Sequence, residues 1–124
     1  NRPAGFRVIA ASPKSPRRET RCPGADVNPS LAMAAVVAAG MHGVEKGLKL
    51  TAPPITGTNQ GAENIPRAPR SLLRTTHTFK ESAIARDWLG DPFVYHFAAT
   101  RYWEHRLWQD AVTDWELKRY FEII

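Results

Sequence analysis

A chain of 124 residues, 43% of them hydrophobic, is long enough for one small domain and ordinary enough in composition to build a core. Its net charge of +5 sits at one end: up to position 21 there are Arg2, Arg7, Lys14, Arg17, Arg18 and Arg21 against Glu19 alone, and the rest is close to neutral. That localisation points to a local anionic ligand, or to nucleic acid, and excludes a generally polycationic protein.

The opening segment, NRPAGFRVIAAS, reads as a strand entered without its predecessor and lacks an initiator Met, so a C-terminal piece of a longer protein is expected. Residues 5–11, GFRVIAA, are short and β-branched and predict a first strand. SPKSP is a turn, its two prolines interrupting any ladder. RRETRC predicts a second strand that could pair with the first as an antiparallel hairpin, although a five-residue loop leaves the register open. On that strand Arg17, Glu19 and Arg21 share a face, because side chains alternate with period two.

Two readings of this face compete. One is a solvated salt-bridge ladder of small energetic value. The other is an anion site, since forked guanidiniums grip phosphate or carboxylate bidentately. A carboxylate between them would repel that ligand unless it holds a metal that the ligand also contacts. The pattern therefore favours a metal–phosphate site over a plain anion site.

Cys22 is the single cysteine, which excludes an internal disulfide and favours a reducing, cytoplasmic compartment. His42, His77, His96 and His105 are scattered without metal-type spacing and read as surface or packing residues. A helix is expected over 28–49, with Asn28 as N-cap and Pro29 at its first position. Its body, 31–41, is apolar almost all round, which predicts a buried helix but falls short of membrane-spanning length. Gly40, Gly43 and Gly47 weaken its far end. Residues 50–70, rich in proline and polar residues, predict a long surface loop with no chemistry assigned.

From 71 to 124 the reading is helical. Ser71 caps one segment, Gly90 ends the next, and Asp91 as cap with Pro92 behind it opens a third. Phe93, Phe97, Trp108, Ala111 and Trp115 form a rough stripe, interrupted by Arg101 and Glu104, that reads as core or interface rather than as a base-stacking platform. Thr113 to Glu116, TDWE, is a capping box that restarts a last helix. The fold class expected is α+β, two antiparallel strands followed by a mostly helical segment.

At this point the ordered set of motifs resembles the glutamine synthetase superfamily over the C-terminal part of its catalytic domain. Asn1-Arg2, the Arg7 strand, Ser12 to Lys14 (SPK), and Arg17-x-Glu19-x-Arg21 come in that family's order. PGADVNP followed by LAMAAVVAAGMHGVE is similar to its signature helix, and VTDWELKRYFE resembles the terminus of its γ-glutamyl-amine ligase branch. The resemblance implies a ligase of nitrogen metabolism and glutamine biosynthesis that uses ATP and Mg2+ or Mn2+. It would join glutamate to ammonia or an amine in a homo-oligomeric ring, with active sites between subunits and no nucleic-acid or membrane partner.

The resemblance also implies residue roles. Arg2 and Arg21 would lie at the glutamate γ-carboxyl and the transferred phosphate. Arg7, Lys14 and Arg17 would contact the nucleotide. Glu19 would ligate the metal that bridges its phosphates. The family's remaining metal ligands, its glutamate-binding loop and its N-terminal β-domain lie upstream, so this chain alone is expected to be inactive. Ser30 and Arg18 depart from the family's usual Tyr and apolar residue, and no Tyr near GAENIP supports regulatory adenylylation. Two other readings stay open: a catalytically silent relative that keeps the fold, and a nucleic-acid module built on the basic N-terminal segment, whose affinity would fall steeply with salt.

Overall fold

The computed structural model describes residues 4–9, 15, 17–51, 55 and 67–123. The chain divides into two compact units, Asn1–Pro66 and Arg67–Ile124. In the first, the two β-prone segments form β1 (Phe6–Ile9) and β2 (Arg17–Thr20), paired antiparallel. Their register sets Phe6 against Thr20, Arg7 against Glu19, Val8 against Arg18 and Ile9 against Arg17. The Arg21 backbone N–H donates to the Gly5 carbonyl at 2.8 Å, which carries the pairing past the end of the ladder.

The same unit contains α1 (Pro29–Glu45). Asn28 starts it as expected: its side-chain oxygen accepts from the backbone N–H groups of Ser30 and Leu31, and Pro29 occupies the first turn. The helix stops earlier than the expected 28–49. Gly47 adopts a left-handed φ of 58°, its N–H donates to the Val44 carbonyl, and the Leu48 N–H reaches back to the Gly43 carbonyl at 2.9 Å. This is a Schellman stop, which glycine supplies without the Cβ penalty.

The expectation of a buried helix needs correction: no residue of α1 is buried. Met33 and Val37 are each 63% exposed, and Val44 78%. Apolar content all round a helix creates the demand for cover, whereas cover itself is a tertiary property. Among the described residues, nothing meets that demand. Most of the expected loop 50–70 lies outside the described residues.

The second unit is helical throughout: α2 (Leu72–Glu81), α3 (Ala83–Leu89), α4 (Asp91–Asp110) and α5 (Asp114–Tyr120). Ser71 caps α2, accepting from the Arg74 N–H at 3.2 Å. Ser82 closes α2 and caps α3, a double use the serine hydroxyl allows because it accepts from Ala85 N–H while the backbone turns extended. The small core sits where α4 meets α2, with Val94 and Ala98 buried and the hydroxyl of buried Thr76 satisfied by the Leu72 carbonyl at 2.8 Å.

The start of α4 also differs from expectation. Asp91 is its first residue and makes no capping hydrogen bond; Gly90, with φ of 82°, stands at the cap position. The Asp91 carboxylate meets Arg86 instead, at 3.3 Å. Of the aromatic stripe, Phe97 packs against Phe79 and Phe93 with ring centroids 5.6 and 5.7 Å apart, and the Arg101 guanidinium lies over Phe97. The interrupting arginine thus covers the stripe with its own cation, while Trp108 and Trp115 remain exposed.

Candidate functional site

Cross-strand pairing decides which side chains share a face. Arg7 stands opposite Glu19 and Ile9 opposite Arg17, so Arg7, Arg17 and Glu19 project from one side of the hairpin; period-two alternation adds Arg21. Phe6, Val8, Arg18 and Thr20 take the other side. The Arg18 guanidinium lies 5.8 Å from the centroid of the Phe6 ring there, which gives the extra charge an aromatic surface to rest on.

On the polar face, Arg21 embraces Glu19. Its Nε donates to Oε1 at 2.8 Å and its Nη2 to Oε2 at 3.5 Å. From the facing strand, Arg7 Nη1 lies 3.6 Å from Oε2. The Arg21 side chain is 24% exposed, Glu19 41% and Arg7 55%. Hydrogen bonding from Arg21 is the largest influence on the Glu19 carboxyl and holds it below its ordinary value; desolvation, the next largest, opposes this, and the charges of Arg21 and Arg7 reinforce it. Glu19 is therefore fully ionised near neutral pH. Pairs this exposed add little to stability, so the arrangement is poorly explained as a structural device.

Arg17 faces the same side from an exposed position and makes no ion pair among the described residues. Of the six residues assigned roles by resemblance, the hairpin brings together Arg7, Arg17, Glu19 and Arg21. Arg2 and Lys14 lie outside the described residues. What sequence reasoning missed was the partnership of Arg7 with Glu19: a strand's own period shows Arg17, Glu19 and Arg21 together, but the facing residue depends on register. Arg86 also went unremarked. It donates to the Lys80 carbonyl at 3.1 and 2.8 Å and to the Tyr95 hydroxyl at 3.0 Å, and so ties α2, α3 and α4 together. No local signal reveals this, because the Gly90 break separates it from Tyr95.

The donor set suits a particular ligand chemistry. A carboxylate oxygen is a hard ligand of the kind Mg2+ and Mn2+ take, and flanking guanidiniums suit phosphate and carboxylate oxygens. Glu19 offers one carboxylate, and no group of three or more His, Cys, Asp or Glu side chains placed to hold a metal occurs among the described residues. The hairpin face fits one side of a cation–phosphate site.

Comparison with known proteins bears on this geometry. The family described as glutamine synthetase, catalytic domain, matches residues 1–120. Type-1 glutamine synthetase 2 of Dictyostelium discoideum is 42% identical, over all of this chain and 24% of its own length. A gamma-glutamylethanolamide synthetase of Streptomyces coelicolor is 38% identical, over 98% of this chain and 26% of its own. A glutamate–isopropylamine ligase of a Pseudomonas species is 35% identical, over all of this chain and 27% of its own. The chain thus spans about a quarter of the length of these curated relatives.

Proposed function

The chain belongs to the glutamine synthetase catalytic-domain family, and we propose that the protein carrying it is an ATP-dependent ligase that joins the γ-carboxyl of glutamate to ammonia or an amine. The observation that carries this reading is the Arg7–Glu19–Arg21 cluster on one hairpin face, with Arg17 beside it. Relatives named for an ethanolamide product and for isopropylamine as the amine joined to glutamate support an amine as readily as ammonia.

The chemistry explains the residue choice. The glutamate γ-carboxylate oxygen attacks the γ-phosphorus of ATP, the bond to the β–γ bridging oxygen breaks, and ADP leaves. The amine nitrogen then attacks the acyl carbon, the carbon–oxygen bond to the phosphate breaks with its electron pair staying on oxygen, and the proton lost by the nitrogen leaves with the inorganic phosphate. The first step brings two anions together, so their repulsion is the main obstacle. Arg7 and Arg17 neutralise phosphate oxygens, and Arg21 holds the γ-carboxylate and the acyl phosphate that replaces it. Arg2 and Lys14 are assigned to the γ-carboxyl side and the nucleotide side. Glu19 would hold a divalent cation, which when bound screens the charge on the transferring phosphoryl group. The remaining metal ligands and the neighbouring subunit of a homo-oligomeric ring complete the site.

The departures from the family pattern leave this face intact. Arg18 lies on the opposite side of the hairpin over Phe6. Ser30 serves α1 through its backbone N–H, a role open to any residue but proline. The test is nucleotide binding by calorimetry on the full-length protein with and without Mg2+. The ligase reading expects Mg2+-dependent binding that Glu19→Ala weakens at least about tenfold, the scale seen when support of a metal site is lost. A ring that binds no nucleotide would instead identify a catalytically silent relative.

A further inference from the structure

Helix α3 is held unlike its neighbours. It has seven residues, too few for a stable isolated helix, and none of them is buried. The backbone breaks on both sides of it: Ser82 is extended, with φ of −72° and ψ of 112°, and Gly90 turns at φ of 82°. Between these breaks Arg86 reaches out in both directions. Its Nε and Nη2 both donate to the Lys80 carbonyl, at 3.1 and 2.8 Å. With the ladder of α2 ended at Ser82, that carbonyl is one of the last-turn acceptors a helix leaves open, and a cation there also answers the negative end of the helix. Arg86 Nη1 donates to the Tyr95 hydroxyl at 3.0 Å and to the Asp91 carboxylate at 3.3 Å, both on α4. The guanidinium carbon lies 5.0 Å from the centroid of the Tyr95 ring. One side chain on α3 thus grips the end of α2 and the first two turns of α4.

We infer that α3 is a strap that opens as a unit on hinges at Ser82 and Gly90, and that the Arg86 guanidinium is the clasp that keeps it closed. No residue of the hairpin face takes part, so the strap stands apart from the ligase reading. Burial at Thr76, Val94 and Ala98 anchors α2 and α4 to each other, and that seam does not need the clasp. Helix α3 has no buried anchor; Trp88 and Leu89 are half-buried and give it partial cover. The Arg86 side chain is only 30% exposed, so its bonds to the carbonyl, hydroxyl and carboxylate count for more than those of an open surface pair. Opening α3 uncovers little apolar surface, which makes it cheaper than unfolding the whole unit, the condition for a locally opening segment.

The experiment is hydrogen exchange of the full-length protein, read by mass spectrometry as protection relative to intrinsic rates. In the wild type, the amides from Asp87 to Gly90 are expected to be less protected than those of 98–104 in the middle of α4. Arg86→Lys keeps the charge but presents a single nitrogen, which cannot hold the Lys80 carbonyl and the α4 groups together. It is expected to lower protection from Asp87 to Gly90 at least about fivefold, the scale of a lost charge-assisted bond, and to leave 98–104 within about twofold. Tyr95→Phe keeps the ring and removes one acceptor, and is expected to lower the same amides by about threefold.

Unchanged protection of α3 in Arg86→Lys would overturn the clasp. An equal loss in α3 and in 98–104 would also overturn it, because Arg86 would then support the whole helical unit rather than a strap. If Arg86→Lys does not fold, Tyr95→Phe decides by the same comparison: no loss, or a loss spread evenly over α4, overturns the inference. A wild type in which Asp87 to Gly90 are protected as strongly as 98–104 overturns the strap itself.

Discussion

Single residues decide two features of this chain. Gly90 holds φ of 82° and ψ of 144° at the junction where α3 ends and α4 begins. Side chains other than glycine strain in that region, and the junction carries the Gly90 N–H to the Arg86 carbonyl and the Val94 N–H to the Gly90 carbonyl. Gly90→Ala is expected to cost about 1–3 kcal/mol in chemical denaturation, although a Cβ there would meet nothing closer than the Pro92 ring at 3.8 Å. The cost is one of backbone strain, so no neighbouring substitution that makes room should relieve it. Glu19 is the second such residue. Its ion pairs are too exposed to matter much for stability, so Glu19→Gln is expected to leave the denaturation midpoint nearly unchanged while weakening metal-dependent nucleotide binding. A large loss of stability would return the face to a structural ladder.

At the scale of elements, caps and faces do the work. Helix α5 is opened by the Thr113–Glu116 capping box, with the Thr113 N–H donating to Glu116 Oε2 at 2.7 Å and the Glu116 N–H donating to the Thr113 hydroxyl at 3.3 Å. Thr113→Ala is expected to destabilise α5 by about 1 kcal/mol, read as faster amide exchange from Asp114 to Tyr120. The Glu116 carboxyl is held below its ordinary value of 4.5, first by the Thr113 backbone N–H and then by its hydroxyl. Because the folded value is the lower one, the contribution is complete above 4.5 and is lost as pH falls through the depressed value. Acid should therefore lower the protection of the α5 amides relative to their intrinsic exchange rates, and Glu116→Gln should abolish that loss of protection. Between α2 and α4 the packing is apolar: Val94 is fully buried. Val94→Ala is expected to cost about 2 kcal/mol, two methyl groups' worth of transfer free energy plus a partly collapsed cavity, measured by denaturation.

For the whole molecule, the balance of apolar surface is unusual. Val94 and Ala98 are the buried hydrophobic residues among those described, while Met33, Val37, Met41 and Val44 of α1 and Trp103, Trp108 and Trp115 of the second unit are each more than half exposed. Exposure on this scale marks surfaces that other protein covers. Residues 1–124 expressed alone are expected to self-associate with rising concentration in sedimentation velocity and to bind a hydrophobic dye. A monodisperse, dye-silent monomer would show that this surface needs no cover. No helix among the described residues is long and apolar enough to cross a membrane.

The sequence by itself determined the features that depend on near neighbours. Asn28 with Pro29, Ser71, and Thr113 with Glu116 all start helices where they were expected to, because a cap closes its hydrogen bonds within three residues. The common face of Arg17, Glu19 and Arg21 follows from the strand period alone. Tertiary structure decided what depends on partners distant in the chain: that Arg7 faces Glu19, that Asp91 answers Arg86 rather than capping α4, and that α1 carries its apolar surface uncovered. Register, charge pairing across a break and burial are each a relation between two segments. A local pattern can state the need for such a relation, but only the folded chain names the partner.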